Sequence, residues 1–385
     1  MTSKYLVDMK HTFLGFQRPG LMTGVRNKLL LVPTVSCSST VSERISSTVE
    51  DSAYVSNMLG CAQSGRDLQQ TADTIVGYGL NGNVAGVLAV SLGCETLLDT
   101  EVIKRLVDTG KPVEWIGIQK SGGEKKTFEN GKKISRRMRK ESSLLTRNEL
   151  EIGNLIVGVM CASPDDTCLT LSNQVIGELC RELVRLGATC ILSGPPSFHE
   201  HQSLLSRLSK DGTCIPERLL IEEYSQVGTQ ILPVYEQAAV NRVSEHRITE
   251  EETVLESFLV NNLGLNGFLD YAQRVAGPGM YLMRGSSSEV ESLTGLVASG
   301  AQIIICTTGR GSSIGNPISP VIKITSNEAI YSRMKSNFDF YVDRKDDDTV
   351  GNMMFELLKI ASGKSVQAEI LGHEEFAIAR AGPSY

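Results

Sequence analysis

The sequence predicts an α/β protein with two αβ domains, mainly parallel sheets and flanking helices. Short runs rich in Val, Ile and Leu alternate with longer segments of helical spacing, as expected for strands joined by crossover helices. The runs are apolar throughout rather than at every second residue, so helices should cover both faces of each sheet. The length of 385 residues also favours more than one domain.

Apolar runs predict the strands, and the segments between or after them predict the helices. The strands are Lys28 to Val35, Val84 to Val90, Val113 to Ile118, Leu155 to Met160, Ala188 to Leu192, Ala301 to Cys306 and Val321 to Ile324. The helices are Ser38 to Val49, Gln63 to Val76, Thr96 to Thr109, Leu169 to Leu186, Glu289 to Ser299 and Val350 to Ala361. Gly77 and Gly187 lie where a helix should end, because glycine readily adopts the left-handed conformation that closes many helices.

A domain boundary is expected near Leu150. The first αβ domain should span residues 1–149 and close with a long polar helix, and the C-terminal αβ domain should span residues 150–385. Residues 120–140 carry nine Lys or Arg against two Glu, which predicts a solvated helix face; an anion or partner site is the alternative. The segment from Ile215 to Asn266 has helical but no strand spacing, so it predicts an inserted helical layer.

Composition and charge argue against several classes of protein. The formal net charge is −6, and 41% of the residues are hydrophobic and 21% charged, as in ordinary globular chains. No apolar run reaches membrane-spanning length and no signal segment is recognisable, so a cytoplasmic protein without a membrane anchor is expected. The nine cysteines contain no C-x-x-C pair, which fits a reducing compartment better than a disulfide framework or zinc ribbon. The acidic balance and few aromatic residues argue against nucleic-acid binding.

Cysteines near strand ends are the main candidates for a functional site. Five of the nine lie at or just beyond a predicted strand, next to Gly, Ser or Thr: Cys37, Cys61, Cys94, Cys161 and Cys306. Ligands of open α/β sheets bind outside the carboxyl ends of the strands, so these positions suit a site. The alternative is that the cysteines are small buried hydrophobic residues, the commonest role of a free cysteine.

A glycine-rich loop and three incomplete motifs are the other candidates. In Gly309-Arg310-Gly311 the backbone N–H groups can bind an anion and Arg310 can pair with a carboxylate, although a simple turn is equally consistent. Gly77 to Gly82 fits G-x-G-x-x-G, but a helix precedes it and a strand follows, the reverse of a dinucleotide-binding turn. Gly363-Lys364-Ser365 lacks the first glycine of a P-loop. His199-Glu200-His201 is not H-E-x-x-H, yet one histidine could still serve as a ligand or base.

Several segments, taken in order, carry a family resemblance over nearly the whole chain. They are Gly15-Phe16-Gln17-Arg18, Gly24-Val25-Arg26-Asn27, Gly60-Cys61-Ala62-Gln63, Gly93-Cys94-Glu95, Cys161-Ala162-Ser163-Pro164-Asp165, Glu291-Ser292-Leu293-Thr294-Gly295, Thr307-Thr308-Gly309-Arg310-Gly311 and Pro317-Ile318-Ser319-Pro320. Together they resemble the large domains of the altronate and galactarate dehydratase family, which includes the beta subunit of sulfolactate sulfo-lyase.

The resemblance implies a metal-dependent lyase that dehydrates a sugar acid or related small hydroxy acid, such as altronate or galactarate. Proton removal beside a carboxylate creates an enediolate-like dianion, so a metal, here Fe²⁺, or a cationic group must take up charge. The implied catalytic residues are Cys61, Gln63, Glu95 and Asp165. The implied substrate-binding residues are Arg26, Asn27, Thr307, Thr308 and Arg310. The implied metal ligands are Cys61, Cys94 and Cys161.

The same resemblance bears on partners and on alternatives. It implies a separately encoded small subunit, because the family includes split proteins, and a homo-oligomer. A relative that binds a sugar acid or regulates a partner without catalysis stays open, as does a C–S lyase resembling sulfolactate sulfo-lyase. The chain departs from the usual family pattern in the loop Ser193-Gly194-Pro195-Pro196, where an acid is usual, and in the acidic segment His246 to Thr253, where glycine and threonine are usual.

Overall fold

The computed structural model describes residues 11–18, 23–95, 97, 99–210, 213–220, 248–259 and 263–380. This part of the chain forms a mixed α/β fold in which helices flank two parallel sheets, which confirms the predicted fold class. No helix within the described ranges is long and apolar enough to cross a membrane.

The first parallel sheet has four strands in the order β3-β2-β4-β5. The strands of the N-terminal part are β1 (Thr12–Gly15), β2 (Lys28–Pro33), β3 (Ser52–Tyr54), β4 (Val84–Ser91) and β5 (Val113–Gly117). Its helices are α1 (Ser39–Ser46), α2 (Gly65–Leu80), α3 (Asp99–Val107), α4 (Ile118–Ser121) and α5 (Glu124–Ser142). Leu30 packs on the α2 side with Ile75, whereas Leu29 packs on the opposite side with Ile45. Successive residues therefore bury both faces, which explains the continuous apolar pattern.

The second parallel sheet has seven strands in the order β13-β12-β11-β7-β8-β10-β9. The strands of the C-terminal part are β6 (Asn148–Glu151), β7 (Ile156–Ala162), β8 (Thr189–Ser193), β9 (Gly267–Leu269), β10 (Gly279–Met283), β11 (Ile303–Thr308), β12 (Val321–Thr325) and β13 (Phe340–Tyr341). The helices are α6 (Asn173–Arg185), α7 (Gln202–Leu208), α8 (residues 248–258), α9 (Glu289–Ala298), α10 (Glu328–Arg333), α11 (Asp347–Ala361) and α12 (Gln367–Ile370). A separate antiparallel pair joins β6 to β1.

The strand order reverses at one point in each parallel sheet. In the first sheet the chain runs outward from β2 to β3 on one side and from β4 to β5 on the other. In the second sheet it runs from β7 to β8 on one side and from β11 to β12 and β13 on the other. Such switch points leave a crevice at the carboxyl ends of the two central strands. The loops after β2 and β4, and after β7 and β11, are therefore the expected binding positions.

The seven predicted strands and six predicted helices all correspond to observed elements. Five of the strands that the sequence pattern missed are short or polar, namely β1, β3, β6, β9 and β13, and the sixth is the apolar five-residue β10. The long polar helix ends at Ser142 rather than near Glu149, because the chain extends there into β6. A division at residue 150 falls inside β6. Of the segment from Ile215 to Asn266, residues 221–247 and 260–262 lie outside the described residues, and the described remainder contains α8.

The two sheets are joined by helix packing and by side-chain amides. Helix α2 lies so close to α9 that a Cβ atom at Gly77 would be 2.4 Å from the carbonyl oxygen of Ala298. The amide of Asn83 accepts from the backbone N–H of Val25 at 2.8 Å and donates to the carbonyl of Gln302 at 2.8 Å. Both sheets therefore share one continuous apolar core.

Candidate active site

The carboxyl edge of the second sheet holds a cavity of about 370 Å³ beside its switch point. Its walls come from the residues after β7, β8 and β10 and from α8 and α9. The lining residues include Cys161, Ser163, Glu250, Glu251, Ser286 and Glu289. This volume suits a ligand the size of a sugar acid.

Asp165 connects three strand ends at this edge. Its Oδ1 accepts from the hydroxyl of Thr167 and from the backbone N–H of Cys168, both at 2.8 Å. Its Oδ2 accepts from the side-chain amide of Asn327, after β12, at 2.8 Å. Burial alone would raise the pKa of Asp165, but these hydrogen bonds outweigh it and hold the pKa below its ordinary value. The carboxylate is therefore ionised at neutral pH and fixed in place.

Cys161 ends β7 and faces a second thiol. Its Sγ lies 3.4 Å from the Sγ of Cys168, which also contacts the Oδ1 of Asn173 at 3.3 Å. Cys168 begins a single π-helical turn, Cys168–Ser172, that precedes α6, and such turns recur at functional sites. The bond to Cys168, together with burial, raises the pKa of Cys161, and the same bond lowers the pKa of Cys168. Cys161 thus lines the cavity as a protonated thiol.

The loop after β11 is held against Asp165. A Cβ atom at Gly309 would lie 2.1 Å from the carboxyl carbon of Asp165, so only glycine permits this approach. The N–H of Gly309 donates to the carbonyl of Ser163 at 3.2 Å, and the N–H of Gly311 donates to the hydroxyl of Thr308 at 3.1 Å. Arg310, between the two glycines, is exposed and has no ion-pair partner among the described residues.

Thr307 and Thr308 are both fully buried, so their side chains support this edge from below. Thr307 donates to the Oδ1 of Asn173 at 2.6 Å. The same oxygen contacts Cys168, so Asn173 links the end of β11 to the thiol pair.

His201 and neighbouring glutamates form a group that could hold a metal ion. Ligand atoms of Glu200, His201 and Glu251 lie within 4.8 Å of one another, and no other such trio occurs among the described residues. The Nε2 of the buried His201 is 2.8 Å from Glu251, and its Nδ1 is 3.4 Å from Glu252. Burial lowers the pKa of His201, but the two glutamates outweigh it and raise the pKa. Glu251 also lines the cavity, which places this group at its rim.

Glu289 begins α9 on the opposite wall of the cavity. Its Oε1 accepts from the hydroxyl of Ser163 at 2.7 Å. Glu289 therefore joins the start of α9 to the loop after β7.

Loops at the switch point of the first sheet hold another set of sequence-predicted residues. Glu95 accepts from the hydroxyl of Thr34 at 2.7 Å and from the backbone N–H groups of Gly93 and Cys94 at 2.6 and 2.9 Å. Burial would raise the pKa of Glu95, but these bonds outweigh it and lower the pKa. Cys61 and Cys94 are exposed.

Gln63 is buried in the loop that precedes α2. It accepts from the N–H of Gly60 at 2.9 Å and donates to the hydroxyl of Thr71 at 3.0 Å. The loop also approaches the second sheet, because Arg66 pairs with Asp270, just after β9, at 3.0 Å.

Arg26 and Asn27 lie at the other edge of the first sheet, before β2. Arg26 forms a two-point ion pair with Glu369 at 2.7 and 2.8 Å and donates to the carbonyls of Val25, Ile360 and Lys364. All five of its N–H groups are thereby occupied. Asn27 donates to the carbonyl of Ser142 at 2.9 Å.

The structure divides the sequence-predicted residues into three groups. Cys161, Asp165, Thr307, Thr308 and Arg310 converge at the second sheet, and Cys61, Gln63, Cys94 and Glu95 gather at the first. Arg26 and Asn27 lie before β2, at the opposite end of the strands. They are about 25 Å from the carboxyl edge of the first sheet, at roughly 3.3 Å per strand residue. Cys61, Cys94 and Cys161 do not form a shared metal site, because they follow strands of two different sheets.

No sequence pattern singled out Glu251 or Glu289, and His201 was only a minor candidate. The signal for His201 and Glu251 lay in the two segments that depart from the family pattern, because His201 follows the altered loop after β8 and Glu251 falls in the acidic segment. No short motif joins them, since 50 residues separate the two.

Two family models match the chain. Residues 15–143 match D-galactarate dehydratase/altronate hydrolase, second domain. Residues 152–384 match D-galactarate/altronate dehydratase, C-terminal.

Curated relatives match over almost the whole chain. The (2R)-sulfolactate sulfo-lyase subunit beta of Chromohalobacter salexigens is 28% identical over 96% of this chain and 97% of its own length. The altronate dehydratase of Bacillus subtilis is 25% identical over 96% of this chain and 78% of its own length. That of Escherichia coli is 22% identical over 95% and 77%, respectively. These names confirm the lyase class, and with the matched models they show that the chain belongs to the D-galactarate/altronate dehydratase family.

Proposed function

We propose that the protein is the large subunit of a metal-dependent lyase that eliminates water from a sugar acid or similar small hydroxy acid. The observation that carries this proposal is the cavity at the β7 and β11 switch point, bordered by the Arg310 loop and lined by Cys161 and Glu289. Glu289 offers a carboxylate for a proton and Cys161 offers a protonated thiol, and Arg310 follows Gly309, whose N–H donates to the cavity residue Ser163. A general acid–base elimination needs groups of these types.

We assign the metal to Glu200, His201 and Glu251. One imidazole with two carboxylates is a donor set that suits Fe²⁺, Mn²⁺ or Zn²⁺. Glu252 supports this assignment, because a carboxylate on Nδ1 holds the ring in the tautomer whose Nε2 can bind a metal. A divalent ion bound there would supply positive charge to offset the charge that develops on the substrate.

The remaining roles follow from the contacts of each side chain. Arg310 binds the substrate carboxylate, and Asp165 positions the Arg310 loop through Gly309. Glu289 removes the proton beside the carboxylate, and the Cys161 thiol donates a proton to the departing hydroxyl. In this assignment Asp165 is a positioning residue, since three hydrogen bonds engage both of its oxygens. The Cys61, Gln63, Cys94 and Glu95 loops form a separate surface, for which the small subunit is our proposed occupant.

A C–S lyase is the second candidate. The match to the sulfo-lyase subunit extends over 97% of that relative, against 78% and 77% of the two altronate dehydratases. The same residues would then remove the proton while the C–S bond breaks and its electron pair leaves with sulfite.

Turnover and binding measured side by side test the proposal. The protein is purified anaerobically from its native cells, with any bound partner, supplied with Fe²⁺ and offered galactarate, altronate and sulfolactate. We expect one acid to be converted, with release of a 2-keto acid or of sulfite. Glu289→Gln should lower kcat by about 100-fold or more while substrate still binds in calorimetry. Glu124→Gln, on the exposed face of α5, is the matched control. Binding without turnover would indicate the non-catalytic alternative, and absence of both would refute the proposal.

The metal assignment has its own control pair. His201→Asn should abolish stoichiometric binding of Fe²⁺ or Mn²⁺ in calorimetry, whereas His199→Asn, two residues earlier, should leave it unchanged. Equal affinity in both variants would remove His201 as a ligand.

A further inference from the structure

A second cavity, of about 730 Å³, lies between the two sheets and shares no lining residue with the candidate active site. Helix α2 forms one wall, the end of α3 another, and the chain after β9 the third. Four arginines line it: Arg66, Arg105, Arg218 and Arg274. The cavity is large enough for a small phosphorylated or carboxylated metabolite.

Carboxylates balance only part of this positive charge. Arg66 pairs with Asp270 at 3.0 Å, and Arg105 pairs with Asp73 at 2.7 Å. Asp270 is shared, since its other oxygen is 2.6 Å from Arg284. Arg218 donates to the neutral amide oxygen of Gln273 at 3.2 Å.

Arg274 is the exceptional residue. Its Nη1 is buried and has no hydrogen-bond partner in the part of the chain that the structure describes. Burial lowers the pKa of its guanidinium, which reflects the cost of keeping an uncompensated charge away from water. A buried charge is normally paired or bound to a ligand, so the protein keeps Arg274 here at a loss of stability unless an anion joins it.

Two more basic side chains, Lys111 and Arg18, are buried near Arg274. Lys111 donates to the carbonyl of Asn81 at 2.8 Å, and Arg18 donates to the carbonyl of Gly82 at 2.6 Å. Burial holds the pKa of Lys111 well below its ordinary value, and the positive charges of Arg18 and Arg274 lower it further. A neutral carbonyl satisfies the geometry of Arg18 but not its charge, so Arg18 adds to the positive potential that extends into the cavity.

We propose that this cavity binds the phosphate group of a small phosphorylated metabolite, with Arg274 as its central contact. Guanidinium groups match phosphate oxygens in two-point hydrogen bonds, and a phosphate monoester carries up to two negative charges at neutral pH. The side-chain amides of Gln69 and Gln273 on the cavity wall suit the hydroxyl groups of the attached polyol. The cavity is much larger than a phosphate ion, so the monoester should bind more tightly than inorganic phosphate.

The test compares ribose 5-phosphate with inorganic phosphate on the complete protein. We expect ribose 5-phosphate to bind saturably in calorimetry and to raise Tm by about 3 °C near saturation, with weaker binding of inorganic phosphate. Arg274→Met should abolish both effects. Without ligand its Tm should equal or exceed that of the unaltered protein, because an uncompensated buried charge is removed.

A matched control and two contrary outcomes complete the test. Arg136→Gln, an exposed arginine on α5 outside the cavity, should respond to both ligands like the unaltered protein. Unchanged binding in Arg274→Met would overturn the assignment of Arg274. No saturable binding of either phosphate by the unaltered protein would overturn the site.

Discussion

At the scale of single residues, the carboxylates at the strand ends are chemically constrained. Asp165 and Glu95 each accept three hydrogen bonds, and in both cases these bonds lower the pKa against the effect of burial. Groups held ionised in this way can stabilise positive charge or position a loop, but they do not donate protons at neutral pH. The raised pKa of Cys161 keeps its thiol protonated at the same edge, as its proposed role as proton donor requires.

Asp165 should stabilise the fold above its own pKa and lose this effect in acid. Asp165→Ala should lower the free energy of unfolding by about 1 kcal/mol at pH 7, a modest value because the group is partly exposed. Its folded-state pKa is lowered, so the difference should shrink as the pH falls through about 4, the unfolded value, towards the folded value. Urea denaturation of the variant and the unaltered protein at pH 7 and pH 3.5 measures this difference in the free energy of unfolding.

The neighbouring Asp166 provides the control for this prediction. It is exposed, and its side chain forms no hydrogen bond or ion pair with another described residue. Asp166→Ala should therefore change stability little at either pH. A loss for Asp165→Ala that is the same at both values would contradict the role of its charge.

Residue types at strand ends located part of the candidate site. The family segments contain Cys161, Asp165 and Arg310, which lie at the carboxyl edge of the second sheet, and also Cys61 and Cys94, which lie at the first sheet. They could not reveal that Arg26 is occupied by Glu369, because that contact spans 343 residues. His201 and Glu251 form their pair through packing of α8 against the sheet, which no local pattern encodes.

At the scale of helices and strands, the close approach of α2 and α9 fixes how the two sheets meet. Gly77 and Ala298 are in backbone contact there, so any side chain at position 77 must push the helices apart. Overpacking of this kind typically costs about 1 to 3 kcal/mol.

We expect Gly77→Ala to lower the free energy of unfolding by about 2 kcal/mol, measured by urea denaturation. The higher helix propensity of alanine would act in the opposite direction by only about 1 kcal/mol. Gly277→Ala is the matched control, since a Cβ atom there would meet no atom within 4 Å. Equal stability of the two variants would show that the helices can separate without cost.

The predictability of each element followed from how much of it is buried. Strands such as β4 and β11 are buried at every position, and their continuous apolar runs were unmistakable. β6 has the sequence Asn-Glu-Leu-Glu, pairs only with β1 and places a single apolar side chain, Leu150, against the core, so its composition carries no strand signal. β9 and β13 contain three and two residues, too few for a period to be recognised.

At the scale of the whole molecule, the proposed small subunit would complete the enzyme. The two altronate dehydratases extend beyond the match by 100 − 78 = 22% and 100 − 77 = 23% of their lengths. The relative matched at 97% of its length is named as one subunit. We expect a protein of about 100 residues to copurify with the tagged chain from its native cells, and activity to rise when the two are combined.

Exposed thiols give this prediction a direct readout. Cys61 and Cys94 should react with a thiol reagent in the isolated chain and be protected in the complex. Cys214, exposed in the C-terminal part of the chain, should react in both states and serves as the internal control. Full activity of the chain alone, with no stable partner, would contradict the proposal.

The ion pair between Arg26 and Glu369 also sets an order of events during synthesis. The 343 residues between them take roughly 20 to 70 s to translate at about 5–20 residues per second. Throughout that interval the guanidinium of Arg26 lacks its carboxylate and two of its three carbonyl partners. This end of the first sheet therefore becomes complete only when almost the last turn of helix has emerged. A chain cut short before Glu369 would lack this ion pair and would leave the cationic edge open to chaperones and proteases.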